Sequence, residues 1–286
     1  MNIKEVIQAE MDNTIDFINT ALEGESKPCL AIIKANNDPA SEIYVRNKIN
    51  KATELGIEVK LYEMKPCFKD TLFCIEELNK DKTVHGIILQ LPTLLDDLSE
   101  EMLINAIDPK KDVDGLTNMA QANLWQDMDQ ITFEPATALA CLGLMTKYFA
   151  QLGSSLEGKT VLVMGRSKLV GKPLIPLLNY ENSTPIWVHS KSNQEDVKEL
   201  MDVADVIVVA VGKPHLINKD FWIPKKKSPL IIDVGINRVD GKVVGDVKAE
   251  DYPNLAVTPV PGGVGKLTVL HLLSNVTSAS FYERLC

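Results

Sequence analysis

Tyr44 and Lys48, within "SEIYVRNKINKA", stand four residues apart, which places both on one face of a helix. A lysine held beside a phenol or an amide and drawn out of water has a lowered pKa and moves protons near neutrality. On an open surface helix the same pair is an ordinary Tyr and an ordinary Lys. Two more polar residues stand out. Gln90 closes the apolar run "GIILQ", at the carboxyl edge where parallel sheets gather ligands, and as simply caps a strand. Asp114 lies in the glycine-containing loop "KDVDGL", where a carboxylate can hold a ligand or shape a turn. Short-chain dehydrogenases also use Y-x-x-x-K, but their cofactor fingerprint opens the chain; here the order is reversed.

That fingerprint is "VLVMGRSKLVGKPL": a strand, a turn with Gly165, Ser167 and Gly171, then a helix opened by Pro173. Glycine at such a turn lets backbone N–H groups approach a pyrophosphate, and the helix N-terminus adds partial positive charge. It is a partial G-x-G-x-x-G, with Ser167 at the second glycine and a longer spacing to Gly171. NAD sites place a carboxylate at the end of the following strand, for the ribose 2′-hydroxyl. This chain has His189-Ser190-Lys191 there. With Arg166 in the turn, the pocket suits a 2′-phosphate and favours NADP over NAD, unless Arg166 and Lys191 are plain surface charges. A second glycine-rich stretch, "VPGGVGKLT" (260–268), imitates a nucleotide-triphosphate loop. G-x-x-x-x-G-K-[ST] fails on it twice. Val260 holds the first glycine position and Leu267 separates Lys266 from Thr268, while only about eighteen residues follow, with no acidic strand for magnesium.

The elements that must position these groups follow from an alternation of short β-branched runs with longer stretches of helical period. Strands are expected at 29–35, 58–64, 86–91, 160–165, 185–189, 205–211, 230–235 and 256–260, with helices between them at 2–22, 40–55, 70–80, 99–106, 137–152, 171–180, 194–202 and 268–284. Such alternation predicts α/β architecture with largely parallel sheets. A Pro-started helix and a polar Gly/Ser loop near 135–155 mark a boundary between two lobes. We expect domains at 1–138 and 139–268, with a last helix, 269–286, packing back on the first. The 286 residues are 45% apolar and 24% charged, with net charge −9. That balance argues against a nucleic-acid binder. No run approaches eighteen apolar residues, so no membrane span is expected. Cys29, Cys67, Cys74, Cys141 and Cys286 are scattered, and read as reduced thiols of a cytoplasmic protein.

Taken in order, "DPASEIYVRNK", "VHGIILQLP", "INAIDPKKDVDGL", "GRSKLVGKP", "HSK", "IIDVGINRV", "VVGDV" and "TPVPGGVG" resemble the methylenetetrahydrofolate dehydrogenase/cyclohydrolase family through nearly the whole chain. The resemblance implies an N-terminal catalytic lobe, a C-terminal Rossmann-like NADP-binding lobe and a folate cleft between them. It implies oxidation of 5,10-methylenetetrahydrofolate by NADP+, then hydrolysis of the methenyl product to 10-formyltetrahydrofolate, in one-carbon metabolism that serves purine biosynthesis. It also implies a homodimer with no metal. Carried onto this chain, Lys48 is the catalytic lysine, Tyr44 packs against the folate, Gln90 tunes Lys48 and Asp114 anchors the pterin edge. Gly165, Arg166, Ser167, Gly171, Ser190 and Ile236 fall at cofactor positions, and Leu91, Gly262, Gly263 and Lys266 join the substrate set. The chain departs from the family's pattern at 135–140, "PATALA" for "PCTPxG". It departs again at Asn36, where Gly is common, and at Lys266, where Pro is usual. An altered cleft leaves two alternatives to the bifunctional enzyme: a dehydrogenase without hydrolase activity, and a non-catalytic folate- or NADP-binding protein.

Overall fold

The computed structural model describes residues 2–23, 27–36, 38–126 and 131–285; Cys286 lies outside them. The first half runs α1 (Ile3–Leu22), β1 (Cys29–Lys34), α2 (Pro39–Glu54), β2 (Glu58–Glu63), α3 (Phe68–Lys80), β3 (Gly86–Gln90), α4 (Asp97–Asn105) and α5 (Asn118–Gln126). The second half runs α6 (Ala136–Gln151), β4 (Thr160–Met164), α7 (Gly171–Tyr180), β5 (Thr184–Val188), α8 (Gln194–Val203), β6 (Val206–Val209), β7 (Leu230–Asp233), β8 (Asn237–Val239), β9 (Lys242–Val244) and α9 (Val264–Leu285). Two compact units result: Asn13–Ala136 with Val269–Cys286, and Met1–Asp12 with Thr137–Thr268. The first twelve residues therefore group with the second unit rather than with 13–136, which differs from the expected 1–138. Long helices such as α1 make a boundary hard to place from sequence, because each begins in one unit and ends in the other.

The first unit holds a parallel sheet of order β2-β1-β3. Its central strand, "CLAIIK", is buried at every position, whereas β2 at the edge is half-buried or exposed throughout. A strand covered on both faces is apolar throughout, and this is what makes β1 and β3 readable as uninterrupted runs. Ala31, Ile33, Ile87 and Leu89 form one core with Ile75 and Leu78 of α3 and Leu103 of α4. Truncating a residue such as Ile33 there costs about 2–5 kcal/mol. The sheet carries a further parallel segment: Ile87 bridges Asp112, and the Ile87 N–H donates to the Lys111 carbonyl at 2.8 Å. The Lys111 ammonium, buried, donates to the carbonyls of Leu78 (3.1 Å) and Asp81 (2.8 Å), satisfying free groups at the end of α3. Gly115, at φ +67°, closes this segment where a Cβ would meet the Phe133 carbonyl at 2.5 Å. Asn275 of α9 then donates to the carbonyls of Val113 (2.9 Å) and Glu134 (3.0 Å).

The second unit is a parallel sheet of order β5-β4-β6-β7. Strand order reverses between β4 and β6, the point at which doubly wound sheets open a crevice beyond their carboxyl ends. The expected strand at 256–260 is absent. Ile231 and Val257 form an isolated bridge, because Pro259 and Pro261 have no N–H to extend a ladder. The hairpin β8–β9 was not expected. Its turn, Asp240-Gly241, has positive φ at both residues (49° and 75°), the conformation that an Asp-Gly pair provides. The last helix starts at Val264, four residues before the expected 268, so Gly265 and Lys266 lie in its first turn. Among the described residues no helix is long and apolar enough to cross a membrane.

Candidate active site and nucleotide pocket

In the first unit, parallel register decides which side chains meet. Lys34 pairs with Gln90 in β1 and β3, so both point to the same face of the sheet. Helix α2 covers that face: Lys48 Nζ donates to Gln90 Oε1 at 3.1 Å, and Lys34 Nζ reaches Glu42 at 3.5 Å. Gln90 is fixed from its other end, where Nε2 donates to the Leu91 carbonyl at 2.9 Å. The Ile87–Asp112 bridge brings Asp114, two residues on, to the same carboxyl edge. Tyr44 lies one turn before Lys48 on α2 and is 39% exposed, open to a ligand.

The two lysines on this face are pushed in opposite directions. Burial drives Lys48 below the ordinary lysine range, and the Asp114 carboxylate offsets only part of that. Lys34 is also buried, which disfavours its charge. Its hydrogen bond to Glu63 (3.1 Å) and the charges of Glu63 and Glu42 more than compensate, leaving its pKa above the usual value. A neutral amide as hydrogen-bond partner for one ammonium and two carboxylates for the other is the difference. Environments that separate like groups in this way assign one to proton transfer and the other to a fixed charge. Asp112, beside Asp114, is pushed up to about 6 by burial, against the N–H of Thr117 at 2.7 Å. Lys34 was missed in the sequence, although a charge closing the central apolar run "CLAIIK" was a signal.

Asn36, one of the departures from the family pattern, has a structural account. It is buried, its Nδ2 donates to the Pro92 carbonyl at 2.6 Å and its Oδ1 accepts from the Asp38 N–H at 3.1 Å. The side chain thus ties the loop before α2 to the loop after Gln90. Asn36→Gly is expected to lower stability by about 1–3 kcal/mol, because two part-buried hydrogen bonds are lost. Thermal denaturation measures this, and an unchanged midpoint would show that the two bonds contribute nothing.

In the second unit a cavity of about 350 Å³ opens at the carboxyl ends of β4, β5 and β6. Gly165, Arg166, Ser167 and Ser190, all expected at the cofactor, line this cavity. Gly165 is at φ +125° with its N–H on the Val188 carbonyl (3.0 Å), while its own carbonyl accepts from Trp187 Nε1 at 2.6 Å. A Cβ on Gly165 would collide with the Ala210 carbonyl, and one on Gly171 with the Gly165 carbonyl. Gly171 therefore shapes the turn from outside the cavity lining. Two expected residues lie elsewhere. Ile236 is 47% exposed and does not line this cavity. Lys191, expected beside Arg166, does not line it either; it is exposed in the tight 189–192 turn, closed by Ser192 N–H on the His189 carbonyl (2.8 Å). Lys213 is the second lining cation instead. Gly262, at φ +107°, and Gly263, whose Cβ would meet the Pro259 carbonyl at 2.6 Å, form the turn into α9, with Lys266 exposed in its first turn.

A doubly wound unit with a glycine turn and a cation-lined crevice, joined in one chain to a parallel-sheet unit that carries a desolvated lysine, defines a two-unit dinucleotide-dependent α/β class. Family models describe both units: the tetrahydrofolate dehydrogenase/cyclohydrolase catalytic domain matches residues 1–114, and the NAD(P)-binding domain of the same name matches residues 135–284. The chain belongs to the tetrahydrofolate dehydrogenase/cyclohydrolase family. It is 39% identical over 253 residues to the bifunctional protein FolD of Streptococcus pyogenes serotype M5, covering 87% of this chain and 85% of that protein. Among solved structures, the bifunctional FolD of Campylobacter jejuni superposes with a TM-score of 0.84 at 31% identity, covering 98% of each chain. FolD of Trypanosoma brucei, solved with NADP cofactor and an inhibitor, gives 0.83 at 27% identity, over 100% of this chain and 97% of that one.

Proposed function

We propose that this protein oxidises 5,10-methylenetetrahydrofolate with NADP+ and hydrolyses the methenyl product to 10-formyltetrahydrofolate. The observation that carries the proposal is the Lys48–Gln90 pair: a desolvated lysine held by a neutral amide, with a carboxylate acting on it. NADP+ supplies the hydride acceptor. Lys48, whose charge burial disfavours, takes the proton from the water that attacks the cationic product; a fully charged ammonium would repel that cation. Gln90 fixes the Nζ position, Asp114 accepts N–H groups of the pterin edge and Tyr44 packs against its ring. The cavity of the second unit fits a phosphorylated dinucleotide, since Arg166 and Lys213 line it and no Asp or Glu does. The same reading takes the chain to work as a homodimer in the cytoplasm, on the strength of the resemblance and of cysteines free at 29, 67, 74 and 141.

The assay mixes the protein with 5,10-methylenetetrahydrofolate and either NADP+ or NAD+, and follows reduced cofactor and methenyl absorbance together. Reduction with NADP+ and no methenyl build-up is expected. No reduction with either nucleotide would sink the dehydrogenase reading, and persistent methenyl would leave an oxidoreductase alone.

The pH dependence follows from the charges around Lys48. Its base form is the active one in hydrolysis, so activity rises as pH passes through its pKa. Asp114 stabilises the ammonium and holds that pKa up. Asp114→Asn is therefore expected to move the acidic limb of the hydrolysis profile to lower pH, along with weaker folate binding. A limb that stays in place would separate Asp114 from Lys48.

A further inference from the structure

The cavity of the second unit contains one cation that the resemblance does not account for, Lys213, and the structure devotes a buried carboxylate to its placement. Asp246 is fully buried. Its Oδ2 accepts the N–H groups of Val211 (2.7 Å) and Gly212 (2.9 Å), and its Oδ1 accepts the N–H of Lys213 (2.9 Å) and Asn237 Nδ2 (2.8 Å). The loop that leaves β6 is thus clamped along three successive residues. Asp246 is itself held: its N–H donates to Asp233 Oδ1 at 3.0 Å, and its carbonyl accepts from the Ile217 N–H at 3.0 Å. Gly235 leaves the room this requires, since a Cβ there would collide with the Asp246 carboxylate. Lys213 therefore lines the cavity from a fixed root, together with Arg166 and Ser190.

The anion it meets follows from where the cavity lies. A pyrophosphate is held at a helix N-terminus, which here is the start of α7, and no residue of α7 lines the cavity. The lining comprises the end of β5, where the ribose of a bound dinucleotide is recognised, together with the apolar Val197, Leu216 and Phe221, which suit an adenine face. We propose that Lys213 is a specificity-determining residue for the phosphorylated cofactor, sharing the ribose 2′-phosphate with Arg166, and that Asp246 is the positioning residue that fixes it. The proposal rests on the NADP reading given above.

The test is calorimetric titration of the full chain with 2′,5′-ADP and with 5′-AMP. The unaltered protein is expected to prefer 2′,5′-ADP. Lys213→Met, a change at an exposed side chain, should weaken 2′,5′-ADP by roughly tenfold or more, as expected for the loss of a charge-assisted bond to phosphate. Its 5′-AMP affinity should change less than about twofold, since 5′-AMP lacks the 2′-phosphate, and Lys213→Arg should restore the preference. Asp246→Asn should also reduce the preference, and adding Lys213→Met to it should cost little more, because both act on one contact. If the unaltered protein shows no preference, the NADP reading falls and this inference with it. If the preference exists but survives in Lys213→Met, or if both ligands weaken equally, only the assignment to Lys213 is overturned. Additive effects of the two substitutions would overturn the positioning role of Asp246.

Discussion

Lys48→Met is expected to lower hydrolysis of the methenyl product by about 10²–10⁴-fold, the range that a positioned general acid or base contributes. Methionine keeps most of the length and bulk of the lysine stem, so α2 retains its packing on the sheet while the nitrogen is removed. Gln90 loses the donor on its Oε1, but its Nε2 stays on the Leu91 carbonyl and keeps the side chain in place. The nucleotide cavity is built wholly from residues of the other unit, so NADP affinity should be retained. The two readouts are the decay of methenyl absorbance and a direct titration with NADP. Lys48→Arg sharpens the result, because a guanidinium keeps the charge but cannot give up its proton. If charge alone matters, Arg rescues; if proton transfer matters, Arg fails as Met does. Hydrolysis at the unaltered rate in Lys48→Met would place the proton acceptor elsewhere.

Gly165→Ala is the second large effect. At φ +125° a residue with a Cβ is strained, and here the Cβ would also overlap the Ala210 carbonyl at the end of β6. Strain of about 1–3 kcal/mol and a comparable overpacking cost together lower the melting temperature by roughly 5–10 °C. Relief requires the turn after β4 to move away from β6, and both lie in the cavity lining. NADP binding should therefore weaken by about tenfold or more, beyond the loss of stability, as contacts on both sides of the crevice are displaced. Gly153→Ala provides the comparison. It too has positive φ, +67°, but nothing lies within 4 Å of its added Cβ. It should lose stability from backbone strain alone and bind NADP as before. Equal affinity in Gly165→Ala and the unaltered protein would show that the turn does not need this close approach.

The elements that sequence periodicity disclosed are those whose pattern is enforced by burial on both faces. "CLAIIK", "GIILQ", "TVLVM" and "LIID" are central strands or lie against them, and nothing but an apolar run fits there. The stretch 256–260 is largely apolar too, yet Pro259 and the following Pro261 forbid the ladder. The hairpin around Asp240-Gly241 did carry its own signal, an Asp-Gly pair between short β-rich runs, and a reading that looked only for parallel strands passed over it. Site geometry was less legible. Tyr44 and Lys48 sit on one helical face by period alone, but the bond from Lys48 to Gln90 spans 42 residues and depends on the register of β1 with β3. No local pattern encodes that register. Lys213 and Asp246 were invisible for the same reason: a backbone clamp between residues more than thirty positions apart is a property of the folded sheet. Ile236 was placed at the cofactor through the family resemblance; it is 47% exposed and lies outside the cavity of the second unit.

The first unit is assembled from 13–136 and from 269 onward, with Asn275 supplying bonds to carbonyls on both sides of the loop that follows Asp114. During synthesis these two portions leave the ribosome at opposite ends of translation. The unit whose sheet is made first is therefore the last to be completed, and its lysine site cannot reach final order until the whole nucleotide-binding unit has emerged. A chain released before α9 is made would carry the apparatus for one half of the molecule and an open core in the other, a clear mark for cellular quality control.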